Sequence, residues 1–157
     1  MNLTVNKINT NNYKEILELK VSKEQEGFIE PIEECLKEAR EHSLWRTVGI
    51  YNEKEVVGFA MYGLFLDEGT NGRVWLDRFL ISKEHQGKGY GEEGVRLLII
   101  HLYKEYGYKK IYLSVYDNNT GAIALYKKIG FEFNGEMDIN GERVMVINLS
   151  IIEVENE

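Results

Sequence analysis

The apolar positions of the chain follow two periods, and their order predicts the architecture. Residues 45–51, 55–66 and 74–81 are rich in β-branched and aromatic side chains, which predicts three strands joined as an antiparallel meander. Residues 91–106 repeat apolar side chains at intervals of three and four, which predicts a helix. A β-rich run at residues 111–116 follows this helix. The last strand of the meander, the helix and this new strand therefore form a central β-α-β unit.

The segments on either side of this unit predict the remaining elements. A strand is expected at residues 3–8 and a short helix at 13–20, and Pro31 is well placed at the first position of a second helix. Asn119 is a suitable N-cap for a last helix, and Asn140-Gly141 predicts a two-residue hairpin turn between two final strands. The fold class is therefore α+β, a mixed and mostly antiparallel sheet with helices on both faces.

Length and composition predict one domain over residues 1–150, followed by an acidic tail at 151–157. No apolar run reaches the roughly 18–20 residues of a membrane span, and the first residues do not resemble a signal peptide. We therefore expect a cytoplasmic protein without a membrane partner. Cys35 falls on an apolar helical stripe, and the three histidines share no metal-binding spacing, so no metal is expected.

The chain carries 26 acidic and 19 basic residues, a net charge of −7. This balance argues against a nucleic-acid partner, because such proteins present a broad basic face. It favours a cationic partner, or else serves only solubility. The number alone leaves both interpretations open, so the placement of the acids must decide between them.

The most informative stretch is the glycine-rich loop Gln86-Gly87-Lys88-Gly89-Tyr90-Gly91, which lies between a predicted strand and a predicted helix. Glycines let backbone N–H groups approach a ligand, and a helix N-terminus attracts anions, so the loop predicts a phosphate site. Residues 89–94 match the dinucleotide pattern G-x-G-x-x-G, but seven residues separate the strand from its first glycine, and Glu92-Glu93 would face the pyrophosphate. The Walker pattern is absent.

The order of elements and two separated signatures resemble the GCN5-related N-acetyltransferase (GNAT) family over essentially the whole chain. The first signature is Gln86-x-x-Gly89-x-Gly91, and the second is Asn119-x-x-Ala122-x-x-Leu125-Tyr126-x-x-x-Gly130-Phe131. Within the family, residues 74–79, 134–136 and 140–142 look most like bacterial spermine/spermidine (diamine) acetyltransferases. The resemblance implies a homodimer and direct transfer of acetyl from acetyl-CoA to a primary amine of a polyamine.

The resemblance also implies where acetyl-CoA binds. The loop would hold its pyrophosphate through backbone donors, with Lys88 adding charge. The backbone of Phe79 and Ile81, on a bulged strand, would pair with the pantetheine arm. Asn119 matches the family's contact to that arm, and its alternative role is the helix cap alone. The cofactor-binding residues expected on this basis are Phe79, Ile81, Gln86, Gly87, Lys88, Gly89, Tyr90, Gly91 and Asn119.

Two residues are expected to carry the chemistry. Tyr126 matches the family's general acid, which protonates the departing thiolate, although it could serve packing only. Asp77 is the candidate base that deprotonates the amine, and its alternative role is an ion pair with Arg78 or Arg73. Strand alternation predicts that Trp75, Asp77 and Phe79 share one face, opposite Leu76 and Arg78.

The resemblance places Glu26 and Glu30, together with Asp77, on the wall that receives the amine, where carboxylates would attract a polycation. Two other functions stay open. The chain could acetylate a different amine, such as a protein N-terminus or an aminoglycoside, or it could be a non-catalytic domain that binds acetyl-CoA.

Overall fold

The computed structural model describes residues 2–22 and 30–150, and within them the chain forms seven strands and four α-helices. The N-terminal half contains β1 (Leu3–Lys7), α1 (Tyr13–Leu17), α2 (Ile32–Glu41), β2 (Trp45–Asn52), β3 (Glu55–Phe65) and β4 (Arg73–Ile81). After a 3-10 turn (Lys83–His85) come α3 (Tyr90–Tyr106), β5 (Lys110–Val115), α4 (Thr120–Ile129), β6 (Glu132–Met137) and β7 (Arg143–Asn148). The predicted acidic tail at 151–157 lies outside the described residues.

The described strands form one sheet in the order β1-β2-β3-β4-β5-β7-β6. Only β4 and β5 run parallel to each other, and the other neighbours are antiparallel. Apolar side chains fill both faces. One layer packs with α3 and α4, and the other with α1, α2 and the buried thiol of Cys35. The predicted α+β architecture with helices on both faces is confirmed.

Three predicted boundaries are wrong for local reasons. Helix α1 ends at Leu17, because the Leu19 N–H bonds to the Ile16 carbonyl in a tight last turn. Pro31 precedes α2 as its N-cap, and its ψ of 142° is not helical. The β6–β7 connection is longer than the two-residue turn predicted from Asn140-Gly141.

Asp138 organises this longer connection. Its Oδ1 accepts the backbone N–H groups of Asn140 and Glu142, both at 2.9 Å. Its own N–H bonds to the Glu142 carbonyl at 2.8 Å, and Gly141 supplies the positive φ of 82°. An aspartate side chain thus determines the loop length, and the Asn-Gly pair contributes only the left-handed residue.

A β-bulge in β4 changes which side chains share a face. Met61 of β3 pairs with Arg78, but the next residue, Tyr62, pairs with Leu76, so Asp77 is the extra residue on β4. Beyond the bulge, Phe79 packs on the same face as Leu76. The prediction that Phe79 lies opposite Leu76 is wrong, because alternation assumes a regular strand and one inserted residue reverses it.

Candidate active site

The site lies where two central strands part. Strands β4 and β5 pair only at Val74–Ile111 and Trp75–Tyr112, and then diverge towards their C-terminal ends. A cavity of about 910 Å³ opens there, and its wall includes the β4 residues from Asp77 to Ile81 and part of α4. An extended ligand can therefore lie beside β4 where a neighbouring strand would otherwise pair.

The exposed edge of β4 carries backbone groups suited to such a ligand. The Ser82 N–H bonds to the Val57 carbonyl of β3 at 2.8 Å, and successive residues of a strand direct their backbone groups to opposite edges. The backbone groups of Phe79 and Ile81 therefore face the cleft. The Ile81 carbonyl accepts the Gln86 side-chain amide at 3.0 Å, which ties the glycine loop to this edge.

The glycine loop has the geometry expected of a phosphate cradle. Gly87 and Gly89 have φ values of 77° and 86°, and a Cβ added to Gly87 would meet nothing within 4 Å. Helix α3 begins at Tyr90 without a side-chain cap among the described residues, which leaves its first N–H groups for a ligand. The loop therefore fits the pyrophosphate of a coenzyme A group.

One of the two acids in the first turn of α3, Glu92, is paired with basic side chains. Glu92 contacts Lys128 at 3.0 Å and Arg96 at 3.1 Å, and these hydrogen bonds lower the pKa of its carboxyl group. The charge of Glu92, one of the two acids expected to face a phosphate group at this helix, is therefore already paired.

The predicted loop residues do not all line the cavity. Gln86, Gly87 and Gly91 belong to its wall, whereas Lys88, Gly89 and Tyr90 do not. The Tyr90 hydroxyl accepts a hydrogen bond from Asn52 at 3.0 Å, and its ring packs edge-on against His85. Its side chain therefore has a structural role, and only its backbone N–H is available to a cofactor.

Helix α4 brings two predicted residues to the cavity wall. Asn119 caps the helix, because its side-chain oxygen accepts the Ala122 N–H at 3.4 Å. Tyr126 is 9% exposed, and its ring packs edge-on against Phe131. Burial raises the pKa of the Tyr126 phenol to about 12, so the group stays protonated at neutral pH and can act as a donor.

Asp77 lies in the cavity wall beside an arginine. Its Oδ2 contacts Arg78 Nη1, so the ion pair considered from sequence does form with Arg78. Arg73, the other candidate, instead pairs with Glu136 at 2.8 Å. Burial raises the pKa of Asp77 to about 6, and Arg78 opposes that rise. A carboxylate of this pKa is largely ionised at neutral pH and can still accept a proton.

Further carboxylates surround Asp77. Glu30 lines the cavity and contacts Arg78 at 2.7 Å, while Glu26 lies outside the described residues. Glu142, from the β6–β7 connection, also lines the cavity and accepts a hydrogen bond from Ser114 at 3.1 Å. Sequence reasoning gave Glu142 no role. Its signals in the sequence are its place directly after the glycine of the predicted turn and within the 140–142 segment that carries the resemblance. The topology that brings this turn to the cavity is not visible locally.

The described residues show neither a metal-binding cluster nor a membrane-spanning helix. Residues 2–22 and 30–150 contain no group of three His, Cys, Asp or Glu side chains arranged to hold a metal ion. None of the helices in the same ranges combines the length and apolarity needed to span a membrane.

A family match gives the class of protein to which this fold belongs. The family model described as "Acetyltransferase (GNAT) family" matches residues 10–131. The chain therefore belongs to the GNAT acetyltransferase family, as its two signatures predict.

Two relatives from Bacillus subtilis cover nearly the whole chain. A protein named probable spermine N(1)-acetyltransferase, from subspecies natto strain BEST195, is 48% identical over 152 residues, which cover 95% of this chain and 100% of the relative. The spermine/spermidine N(1)-acetyltransferase of strain 168 is 47% identical with the same coverage. The predicted resemblance to bacterial polyamine acetyltransferases is confirmed.

Solved structures share the fold at lower identity. The Vibrio cholerae spermidine N-acetyltransferase in complex with CoA and spermine has a TM-score of 0.71 at 22% identity, covering 94% of this chain and 96% of that one. The aminoglycoside acetyltransferase AAC(6')-Ib in complex with coenzyme A has a TM-score of 0.82 at 20% identity, covering 99% and 100%. The same architecture thus occurs with different acceptors, so the acceptor must be argued from the site.

Proposed function

We propose that the protein transfers acetyl from acetyl-CoA to a primary amine of a polyamine, by direct attack within a ternary complex. The observation that carries this proposal is the clustering of carboxylates beside the proposed catalytic pair. Asp77, Glu30 and Glu142 share the cavity wall with Tyr126. Several carboxylates at one end of a cleft attract a ligand with several ammonium groups, and the named relatives agree with that choice.

The proposed cofactor is acetyl-CoA, which supplies the acetyl thioester. The N–H groups at the start of α3, with Gln86, Gly87 and Gly91, would hold its pyrophosphate. The cleft edge of β4 at Phe79 and Ile81 would hold its extended arm. Lys88 and Asn119 remain predicted contacts, the first to phosphate and the second to the arm.

The proposed chemistry forms one C–N bond and breaks one C–S bond. A primary amine with a pKa of about 10.4 is mostly protonated near neutrality, so a proton must leave before nitrogen attacks. Asp77 accepts this proton, directly or through one water. Tyr126 gives a proton to the departing sulfur, and its buried phenol is protonated at the working pH.

The first experiment measures acetyl-CoA consumption with spermine, spermidine, putrescine, a lysine peptide and an aminoglycoside. Turnover concentrated on the polyamines is the expected result. Preference for the peptide or the aminoglycoside would overturn the proposed acceptor and keep the enzyme class. Acetyl-CoA binding without turnover on any acceptor would favour the non-catalytic alternative.

Tyr126→Phe tests the proposed acid. Removing the hydroxyl is expected to lower kcat about 10²–10⁴-fold while leaving acetyl-CoA affinity unchanged. Tyr108→Phe is the matched control, since it also loses a hydrogen bond, from its hydroxyl to the Asn71 carbonyl at 2.6 Å, but lies outside the cavity wall. An unchanged kcat in Tyr126→Phe would assign the residue to packing alone.

The homodimer and the single domain over residues 1–150 stay predictions. Light scattering coupled to size exclusion at several protein concentrations measures the mass in solution. A mass of about twice the 18.3 kDa chain is expected, and a monomeric mass at every concentration would contradict the dimer.

A further inference from the structure

We propose that Arg78 is a positioning residue for the acetyl transfer: its guanidinium, anchored by Glu30 and Glu38, holds the Asp77 carboxylate ionised and in place for the amine. For its catalytic meaning this inference rests on the proposed function. Its structural basis is a set of contacts among described residues. One of its tests, a titration, does not depend on enzymatic activity.

The contacts divide the guanidinium among three acidic residues. Nη1 donates to Oδ2 of Asp77 and to the Asp77 carbonyl at 3.2 Å. Nη2 contacts Glu30 Oε1 at 2.7 Å and Glu38 Oε2 at 3.9 Å. One side chain therefore connects the bulge of β4 to residue 30 and to α2, across the wall of the cavity.

The bulge makes this arrangement possible. In a regular strand, residues 77 and 78 would point to opposite faces of the sheet. The inserted residue lets both side chains reach the same cavity wall, where the Arg78 side chain is 19% exposed. The contacts with Glu30 and Glu38 limit the movement of the Arg78 guanidinium. Arg78 can therefore hold the Asp77 carboxylate in one orientation.

Asp77 keeps one oxygen for the substrate. The side-chain contact of Arg78 is to Oδ2 and does not involve Oδ1. The three carboxylates that contact Arg78 are those of Asp77, Glu30 and Glu38. Together with the guanidinium they leave a net charge of −2, so an ammonium group is still attracted. Arg78 thus fixes the orientation of Asp77 without filling its second acceptor position.

Arg78 also favours the ionised carboxylate. Burial opposes ionisation of Asp77, and the charges of Glu38, Glu142 and Glu30 act in the same direction. Arg78 is the cation that lowers the pKa of Asp77 among these groups. Without it, a larger fraction of the Asp77 carboxyl would be protonated at neutral pH and unable to take a proton from the amine.

The decisive test is Arg78→Gln, with the carboxyl signal of Asp77 followed by NMR against pH. Asp77→Asn assigns the signal. Loss of a cation in contact is expected to raise the pKa of Asp77 by about one to three pH units. An unchanged titration would overturn the proposal, whatever the activity of the enzyme. Arg78→Lys, which keeps a cation with fewer donors, should give a smaller rise and serves if the glutamine variant does not fold.

A kinetic experiment measures, as a function of pH, the ratio of kcat/KM of each variant to kcat/KM of the wild type. Because the ratio cancels ionisation of the amine, a rise of two pH units in Asp77 lowers it about tenfold at pH 7 and restores it above pH 9. A merely structural role would lower the ratio equally at all pH values, which would refute the inference. Arg73→Gln is the matched control, since Arg73 lies on the same strand as Arg78 and pairs with Glu136 of β6 outside the cavity wall.

Wild-type inactivity on every polyamine would instead refute the proposed function, and the NMR titration would still decide the role of Arg78. The two failures are therefore distinguishable.

Discussion

Replacing Asp77 with asparagine should make the protein more stable at neutral pH and much less active. The Asp77 carboxyl has a pKa of about 6 in the folded chain, against an ordinary value of 3.8. Folding therefore strengthens proton binding, so ionisation of Asp77 costs folding free energy. The cost is absent below pH 3.8, grows as the pH rises towards 6, and is complete above that value.

The size of the effect follows from the two pKa values. A difference between 3.8 and about 6 corresponds to about 3 kcal/mol at pH 8, and to roughly half of that at pH 5. Asparagine has nearly the shape of the protonated acid and does not ionise. The stability gain of the variant over wild type should therefore be about 1.4 kcal/mol larger at pH 8 than at pH 5.

Urea unfolding of both proteins at pH 5, 6, 7 and 8 measures how the difference in unfolding free energy between variant and wild type changes with pH. Packing effects that do not depend on pH cancel in this comparison. The acetylation rate of the variant, measured in parallel, should be low throughout. A stability difference that does not change with pH would show that Asp77 is not held in a charge-disfavouring site. Full activity would show that it is not the base.

Two further predictions concern substrate charge and sheet packing. Glu142→Gln should raise KM for spermine several-fold more than KM for hexylamine, as measured by initial rates. The control Glu136→Gln, in the same hairpin, should change neither KM. Equal effects on both amines would contradict recognition of the second ammonium group by Glu142. Gly58→Ala should lower the free energy of unfolding by about 1–3 kcal/mol or more, because its Cβ would lie 2.5 Å from the Leu80 carbonyl oxygen. Gly121→Ala, where a Cβ meets nothing within 4 Å, should remain within about 1 kcal/mol of wild type in urea unfolding; equal losses would remove the steric explanation.

Sequence patterns predict those parts of the molecule that depend on neighbouring residues. The meander, helix α3 and the cap at Asn119 each follow from a periodicity or a local hydrogen bond that a short window contains. The glycine loop is equally local, because positive φ angles at Gly87 and Gly89 require glycine whatever the rest of the fold does.

The acceptor side of the site was less predictable, because it depends on contacts between segments distant in the chain. Glu142 reaches the cavity only because β7 pairs with β5, and its hydrogen-bond partner Ser114 is 28 residues away. The hairpin that carries Glu142 was predicted, but its length is fixed by the Asp138 side chain, which an Asn-Gly signal does not include.

The bulge at Asp77 depends both on the local strand pattern and on pairing with a strand distant in the chain. Period-two alternation assigned Asp77 and Arg78 to opposite faces, and in a regular strand only one of them could reach the cleft. Bulges insert a residue and re-aim side chains near active sites, and here the pairing of Met61 and Tyr62 with Arg78 and Leu76 locates the insertion. One extra residue therefore places an acid and its counter-ion in the same wall. That combination, rather than either residue alone, gives the cleft a partly buried carboxylate beside a cation, which is the arrangement that the proposed base requires.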